Sequence, residues 1–186
     1  MIKRLFDITS ASVVLIVFSP VLLVTSYFIK KESEGPAIFT QKRPGLNNEL
    51  FDIYKFRSMR IDTPHLATDK IDASKYITKT GKFIRKTSID ELPQLYNIIK
   101  GDMSVVGPRP ALYNQYELIE ARTKENVHTV RPGLTGLAQV MGRDDISDYE
   151  KVQFDKYYVE NRTFLIDMYI IFKTIKNTVT SDGVKH

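Results

Sequence analysis

An uncharged run near the start of the chain constrains the fold more than any other feature. Nineteen residues, Ala11 to Ile29, carry no charge. As a single helix this run would be roughly 28 Å long, close to the hydrocarbon thickness of a bilayer. Ser19 and Pro20 lie at its centre. The length predicts a membrane segment, and the proline raises the question of whether the segment crosses or turns back.

Basic residues flank the run on both sides, with Lys3-Arg4 before it and Lys30-Lys31 after it. Because positive charge favours the cytoplasmic face, this symmetry cannot orient a crossing helix. A bend at Pro20 would place both basic pairs on one face, and the Ser19 hydroxyl could satisfy a freed backbone group. A kinked crossing helix is equally compatible with these residues. A cleaved signal peptide fits less well, since no small-x-small site ends the run.

Composition limits the chemistry. The 186 residues suit one domain, and a net charge of +5 favours anionic partners such as phosphate ligands, anionic lipid or nucleic acid. The absence of cysteine excludes a thiolate nucleophile and a cysteine-ligated zinc. Three scattered histidines argue against a zinc site or a Ser-His-Asp triad: His65, His128 and His186. Carboxylates, hydroxyls, bases or an oxygen-held metal must therefore do the chemistry.

Apolar patterns and turn residues predict short elements after the run. Two strands, Ala37–Gln41 and Leu50–Ser58, are joined by the turn Gly45-Leu46-Asn47-Asn48, which predicts a hairpin. The polar stretch Asp62–Lys75 predicts a loop, and Gly81–Lys86 a basic helical turn.

The second half of the chain alternates glycine-rich loops with helical segments. A helix is expected from Leu92 or Pro93 to Lys100, followed by a strand over Met103–Val106. The strand should break at Gly107-Pro108-Arg109-Pro110. A helix over Pro110–Lys124 and a glycine-rich loop over Arg131–Gly136 are expected next. The tail from Ile146 predicts two helices that divide near Asn161-Arg162. The last of them is apolar around most of its circumference, which favours the core over the membrane surface.

The candidate chemistry centres on the adjacent carboxylates Asp90 and Glu91. They lie just before a predicted helix, whose N-terminus favours negative charge and phosphate. One carboxylate could attack phosphorus while the other holds a divalent cation. The alternative is that Ser88 and Glu91 form a capping box, and this segment alone favours that reading. Pro93 weakens it, because its ring would clash with the preceding turn.

Basic residues that could contact phosphate lie in loops or at strand ends: Lys55, Arg57, Arg85, Lys86, Arg109 and Arg131. Each alone is more often a solvated surface charge. Arg109 is the best candidate, because the prolines on either side fix its backbone and preorganise its guanidinium. Neither the phosphate-loop pattern nor the dinucleotide-binding fingerprint occurs in the sequence.

Six segments in order resemble the bacterial sugar transferases called monotopic phosphoglycosyl transferases, in their small form. These are the apolar entry with Ser19-Pro20, Gly35–Phe39, Tyr54–Met59, Lys86–Gln94, Gly107–Pro110 and Arg131–Gly136. Two further segments, Pro110–Gln115 and Met141–Asp145, look most like the capsule-biosynthesis branch that handles an N-acetylated deoxy-amino sugar.

The resemblance implies an α+β fold at the bacterial cytoplasmic membrane. Residues 1–31 would form a re-entrant membrane helix hinged at Ser19 and Pro20, which decides the choice left open above. Residues 32–186 would form a small, mostly helical catalytic domain on the cytoplasmic face, with a short β-hairpin and interfacial amphipathic helices.

The implied reaction passes a sugar 1-phosphate from a UDP-sugar to undecaprenyl phosphate and releases UMP, with no nucleic acid involved. By this resemblance Asp90 is the nucleophile and Glu91 binds Mg²⁺. Lys55, Arg57, Arg85, Arg109 and Arg131 would contact phosphate groups, and Asp155 is similar to a further acidic position of the family. Two alternatives are a non-catalytic membrane-attached module that binds anions and a metal-dependent phosphohydrolase. The sequence does not mark the oligomeric state.

Overall fold

The computed structural model describes residues 2–63, 75–142 and 145–180. Within these ranges the fold is α+β and mostly helical, with one short antiparallel hairpin, as predicted. Most of the predicted loop Asp62–Lys75, the Arg143-Asp144 part of the Met141–Asp145 segment and the chain's last six residues lie outside the described residues.

Two N-terminal helices, α1 (Ile2–Val17) and α2 (Ser19–Glu32), meet at an angle of 61°. Neither helix alone is long and apolar enough to cross a membrane; together, by length and composition, they suit either a broken span or a re-entrant loop. The break follows from Pro20, whose missing N–H leaves the Ile16 carbonyl without its helical donor. The Ser19 hydroxyl donates to that carbonyl over 2.8 Å, the hydrogen bond expected at the bend, and a hinge inside a membrane stays a prediction.

The predicted hairpin is present as strands β1 (Ile38–Pro44) and β2 (Leu50–Phe56). Strand β1 runs three residues beyond its predicted end, because the hydrogen-bonded pairing with β2 continues up to Pro44 and Leu50. The turn between them uses left-handed backbone at Asn47 and Asn48, a conformation that asparagine tolerates better than most residues.

A second pair of strands, β3 (Ser104–Val106) and β4 (Gly133–Thr135), is parallel. It joins the two glycine-rich loops, since Gly107 donates to the Thr135 carbonyl and Gly133 to the Pro108 carbonyl, each over 2.9 Å. A Cβ atom on Gly133 would lie 2.1 Å from the backbone nitrogen of Gly107. Only glycine therefore permits this approach of the two loops.

Helices α3 (Lys79–Lys86), α4 (Gln94–Lys100), α5 (Tyr116–Lys124), α6 (Leu137–Met141), α7 (Asp148–Asn161) and α8 (Phe164–Thr180) complete the fold. The end of α4 at Gly101 and the division between α7 and α8 confirm the predictions. The helix predicted over Pro110–Lys124 ends at Lys124 as predicted, but its predicted start is wrong, because α5 begins at Tyr116. Ahead of it, the Gln115 side chain accepts from the Leu112 N–H over 2.7 Å and stabilises a turn.

Helix α8 has two different apolar faces. Ile170 is fully buried in the core, whereas Leu165 and Phe172 are 79% and 70% exposed. The prediction that the helix belongs to the core therefore accounts for only one of its faces.

Helix α1 packs into the same core as the strands. Ala11 is fully buried against Ile98 and Met103. The buried Asp7 carboxylate accepts from the Ser104 hydroxyl over 2.9 Å and from the Val105 N–H over 3.1 Å. One face of α1, from Asp7 to Leu15, thus belongs to the core, and the domain boundary at residue 31 stays a prediction.

We predict that Asp7→Ala destabilises the protein, because it leaves the buried Ser104 hydroxyl and Val105 N–H without an acceptor. A loss of about 2–3 kcal/mol would lower the unfolding temperature by roughly 5–10 °C. Thermal unfolding in detergent, followed by circular dichroism, measures the change. Glu49→Ala, which changes an exposed carboxylate, serves as the control. Equal unfolding temperatures for the two variants would contradict the anchoring role of Asp7.

Candidate active site

The acidic pair lies in a single turn of 3₁₀-helix, Ile89–Glu91, between α3 and α4. Ser88 before it has left-handed backbone, and its side chain makes no capping hydrogen bond. The capping-box alternative is therefore wrong for Glu91. A capping box does form elsewhere, between Ser147 and Glu150 at the start of α7.

Glu91 is held by two cations. Its Oε1 accepts from Lys55 Nζ over 2.8 Å and from an Arg109 guanidinium nitrogen over 2.6 Å. Burial by itself would raise the pKa of Glu91, but the charges and hydrogen bonds of Arg109 and Lys55 outweigh it and bring the pKa well below its usual range. Glu91 is consequently ionised at any physiological pH.

Asp90 has a contrasting environment. Burial has the largest effect on the pKa of Asp90 and the negative charge of Glu91 the second largest, and both raise it. The positive charges of Lys55, Arg85 and Arg109 lower the pKa in part, and the result is a value of about 6. Within the described ranges its carboxylate makes no hydrogen bond or ion pair. Asp90 is thus mostly ionised at neutral pH, poorly solvated and unoccupied by a partner, which are the properties of an activated nucleophile.

The two cations come from different parts of the fold. Lys55 projects from β2, where it pairs with Phe39 across the hairpin. Arg109 follows β3 in the loop that the Gly107 and Gly133 hydrogen bonds tie to β4.

Helix α4 is joined to the hairpin by Asn97, whose amide accepts from the Tyr54 N–H and donates to the Asp52 carbonyl. Long-range pairing therefore brings the sequence-predicted Lys55, Glu91 and Arg109 together.

The remaining predicted basic residues have other contacts. Arg57 is buried and donates to the carbonyls of Ser33, Glu34 and Gly35, where it holds the end of α2. Arg131 is exposed and donates to the Gly101 carbonyl over 2.8 Å. Arg85 is exposed on α3, within electrostatic range of Asp90. Phosphate contact by these three residues stays a prediction, and the structure gives Arg57 and Arg131 structural roles.

Asp155 is linked through Arg122 to the loop that carries Arg109. It is 1% exposed and pairs with Arg122 over 2.6 Å. Arg122 in turn donates to the backbone carbonyl of Arg109 over 2.8 Å. The pair therefore supports the loop that carries Arg109, and a direct phosphate contact by Asp155 stays a prediction.

Sequence reasoning missed Arg43, Gln94 and Arg122. Arg43 donates to the Pro110 carbonyl over 3.1 Å and to Gln41 Oε1 over 2.9 Å. Burial and the nearby charge of Arg109 lower the pKa of Arg43 to about 10, in spite of Glu91. No local signal marked Arg43 or Arg122, whereas Gln94 belongs to the motif around the acidic pair.

Two open cavities adjoin Arg109. The smaller one is lined by Arg43, Ile53, Lys55, Gln94, Arg109 and Pro110. The larger encloses about 370 Å³, including space open to solvent, between the Pro108–Pro110 loop and the segment from Val127 to Pro132. The loop that presents Arg109 thus separates two places where parts of a ligand could bind.

The carboxylates of the site suit a magnesium ion that takes most of its ligands from the substrate. No group of three or more histidine, aspartate or glutamate side chains suited to a metal occurs in the part of the chain that the structure describes. Mg²⁺ usually binds through one or two carboxylates together with phosphate oxygens. The ionised Glu91 beside Asp90 meets that requirement, whereas a cage made only of protein ligands is not present among the described residues.

The unequal carboxylates and the cations around them are compatible with phosphoryl chemistry, and comparison with known proteins shows the family. The family model of the bacterial sugar transferases matches residues 1–181. The chain belongs to the bacterial sugar transferase family, which confirms the resemblance found in the motifs and the predicted enzyme class, a phosphoglycosyl transferase.

Three relatives illustrate the similarity. An uncharacterised sugar transferase of Bacillus subtilis, EpsL, is 41% identical over 187 residues, 99% of this chain and 90% of the relative. The undecaprenyl-phosphate galactose phosphotransferase of Salmonella typhimurium is 41% identical over 98% of this chain and 41% of its own length. An Aeromonas hydrophila transferase named for UDP-N-acetylgalactosamine and undecaprenyl phosphate is 42% identical over 99% of this chain and 45% of its own length. The chain thus spans less than half of the latter two.

The contrast between the two carboxylates predicts a measurable coupling. In Glu91→Gln the adjacent negative charge is gone and Lys55 and Arg109 act on Asp90 alone, so the pKa of Asp90 should fall from about 6. Carboxyl ¹³C NMR titration, with the Asp90 signal assigned by its loss in Asp90→Asn, measures this value. Glu125→Gln, away from the pair, should leave the titration unchanged. An unchanged or higher pKa for Asp90 in Glu91→Gln would contradict the coupling.

Proposed function

We propose that the chain transfers a sugar 1-phosphate from a UDP-sugar to undecaprenyl phosphate and releases UMP, through a covalent intermediate on Asp90. The observation that carries the proposal is the unequal pair of carboxylates, a partner-free Asp90 next to an ion-paired Glu91. The names of the Salmonella and Aeromonas relatives support the two substrates.

The chemistry balances in two displacement steps. An Asp90 oxygen attacks the phosphorus that bears the sugar, the bond to UMP breaks, and its electron pair leaves on the UMP phosphate. An oxygen of undecaprenyl phosphate then attacks the same phosphorus and releases the Asp90 carboxylate. A covalent intermediate lets a water-soluble donor and a membrane lipid use one site in turn.

Charge around the carboxylates suits these steps. Arg109 and Lys55 flank Glu91 and can share their hydrogen bonds with incoming phosphate oxygens, where fixed donors stabilise developing charge. We propose Mg²⁺ as the cofactor, bound through Glu91 and substrate oxygens; when bound, it neutralises phosphate charge.

The contacts of α1 and α2 support a re-entrant membrane segment. The start of α1 is tied to the domain by Lys3, which pairs with Asp167 over 2.6 Å, and by Arg4, which donates to the carbonyls that end α4. The end of α2 is tied to the same domain, since Glu32 accepts from the backbone N–H groups of Lys79 and Thr80. Both ends then lie on one side of a membrane, here proposed to be the cytoplasmic side.

Exposed apolar side chains mark the proposed membrane-facing surface. They include Val13, Ile16, Val17, Leu23 and Val24 on α1 and α2, and Phe164, Leu165 and Phe172 on α8. The rings of Phe6 and Phe164 meet edge to face at 5.6 Å, so α1 and α8 are adjacent. We therefore place α8 in the bilayer interface beside the re-entrant pair.

The identity of the sugar rests on the motif resemblance. We propose an N-acetylated deoxy-amino sugar, as in the capsule-biosynthesis branch whose Pro110–Gln115 segment this chain resembles. That segment begins at the rim of the larger cavity, which Pro110 and Ala111 line. The product would begin the assembly of a capsule or another surface glycan.

The covalent step predicts that Asp90→Asn abolishes UMP release, because an amide is not a nucleophile for phosphorus. We expect a loss of at least about a thousandfold in a coupled assay with magnesium, a UDP-sugar panel and undecaprenyl phosphate. Asp148→Asn, in an exposed part of α7, is the matched control. Mass spectrometry should find a phosphosugar on the Asp90 peptide of the wild type without acceptor. Wild-type turnover by Asp90→Asn would refute the intermediate, and repeated turnover without acceptor, beyond one UMP per protein, would indicate a phosphohydrolase.

The re-entrant segment predicts one-sided labelling. The sequence has no cysteine, so single cysteines can be introduced at Ile2 and at Glu34, before and after the bent pair. Both should react with a membrane-impermeant maleimide in inside-out vesicles and remain unlabelled in intact spheroplasts. A cysteine at the exposed Tyr149 of α7 reports the side of the catalytic domain. Labelling of Ile2 and Glu34 positions from opposite sides would show a crossing helix.

A further inference from the structure

Three cationic side chains and no carboxylate are among the described residues that line the smaller cavity. Arg43, Lys55 and Arg109 all line it. Lys55 and Arg109 share Glu91, whereas Arg43 forms no ion pair with a carboxylate among the described residues. Burial and the charge of Arg109 also lower the pKa of Arg43. A buried cation without a counterion favours the binding of an anion.

Two residues that line this cavity each have a buried N–H donor with no acceptor within the described ranges. Gln94 is only 1% exposed, and its Nε2 is unpaired. The Nε of Arg43 is buried and unpaired in the same way. Unpaired buried donors are rare in folded proteins, because each gives up its hydrogen bonds to water without replacing them. Their presence in one cavity suggests that the missing acceptor belongs to a ligand.

The position of Gln94 relates the cavity to the reaction. Gln94 is the first residue of α4 and follows Asp90 by four positions. The cavity has the size of a water molecule and is open to solvent, so it suits one oxygen atom of a larger ligand. A phosphoryl oxygen has the required charge and accepts several hydrogen bonds.

We propose that Gln94 and Arg43 form a binding pocket for a phosphoryl oxygen of the substrate, an inference that rests on the proposed function. Gln94 Nε2 and Arg43 Nε donate to that oxygen while Lys55 and Arg109 neutralise its charge. Gln94 is the more informative residue, because Arg43 also holds the Pro110 carbonyl and has a structural role. The oxygen belongs either to the UDP-sugar or to the lipid phosphate.

Gln94→Met separates ligand binding from a structural role. Methionine has nearly the same volume and removes a buried unpaired amide, so the unfolding temperature should be unchanged or higher. Binding of inorganic pyrophosphate and of UDP, measured by calorimetry, should weaken about tenfold or more, as expected for a lost hydrogen bond to a charged group. Gln139→Met, which changes a part-buried glutamine of α6, should bind as the wild type does.

Two kinetic measurements identify whether the oxygen belongs to the UDP-sugar or to the lipid phosphate. Slower single-turnover UMP release without acceptor in Gln94→Met assigns the oxygen to the UDP-sugar. Normal release followed by slow transfer to undecaprenyl phosphate assigns it to the lipid. Arg43→Lys, which keeps the charge but loses Nε and the guanidinium fork, should show the same defect, and Lys42→Gln on the neighbouring exposed position should not.

The outcomes also separate the pocket from the proposed function. Wild-type binding and kinetics in Gln94→Met would overturn the pocket and leave the reaction standing. The wild type could also bind pyrophosphate in a way that depends on Gln94 and yet release no UMP from any sugar nucleotide. That result would support the pocket and overturn the proposed reaction. A wild type that binds neither pyrophosphate nor UDP would overturn the pocket.

Discussion

The shared ion pair of Glu91 with Lys55 and Arg109 is the interaction on which the site depends. It joins β2, the 3₁₀ turn and the loop after β3, which are far apart in the sequence. Each partner has its own support: the hairpin for Lys55, and the pairing of β3 with β4 together with Arg122 for Arg109. A part-buried carboxylate with two cations is stable only when its surroundings hold all three groups in place.

This ion pair also separates the properties of two neighbouring carboxylates. The cations keep Glu91 ionised, and its fixed negative charge adds to burial in raising the pKa of Asp90. Adjacent residues with the same functional group thereby acquire different tasks, a pattern found where environments push two pKa values apart. In the proposed mechanism the raised pKa would make Asp90 a better base toward phosphorus, while a value of about 6 still leaves it mostly ionised at neutral pH.

Local patterns were sufficient to predict the hairpin and the last two helices, but not the role of the acidic pair, which came from the family resemblance, nor the approach of Lys55 and Arg109 to Glu91. They could not give Asp155 its place behind Arg122, because that contact joins α5 to α7. The role of Arg57 at the end of α2 likewise depends on the packing of the hairpin. The predicted helix start at Pro110 failed because a side-chain hydrogen bond between Gln115 and Leu112 competes with the helix, a contact that apolar periodicity does not register.

Helix α1 is tied by direct hydrogen bonds to the strand that leads to the Arg109 loop. Asp7 on α1 holds Ser104 and Val105 of β3, and β3 leads within a few residues to Arg109. Ala11 on the same helix fills the core beside Ile98 of α4, the helix that begins at Gln94. A shift of α1 would therefore move the cationic loop and the helix next to Asp90 together. In the proposed re-entrant arrangement the apolar end of the same helix enters the bilayer, so the depth of insertion would set the position of Asp90 relative to the membrane surface.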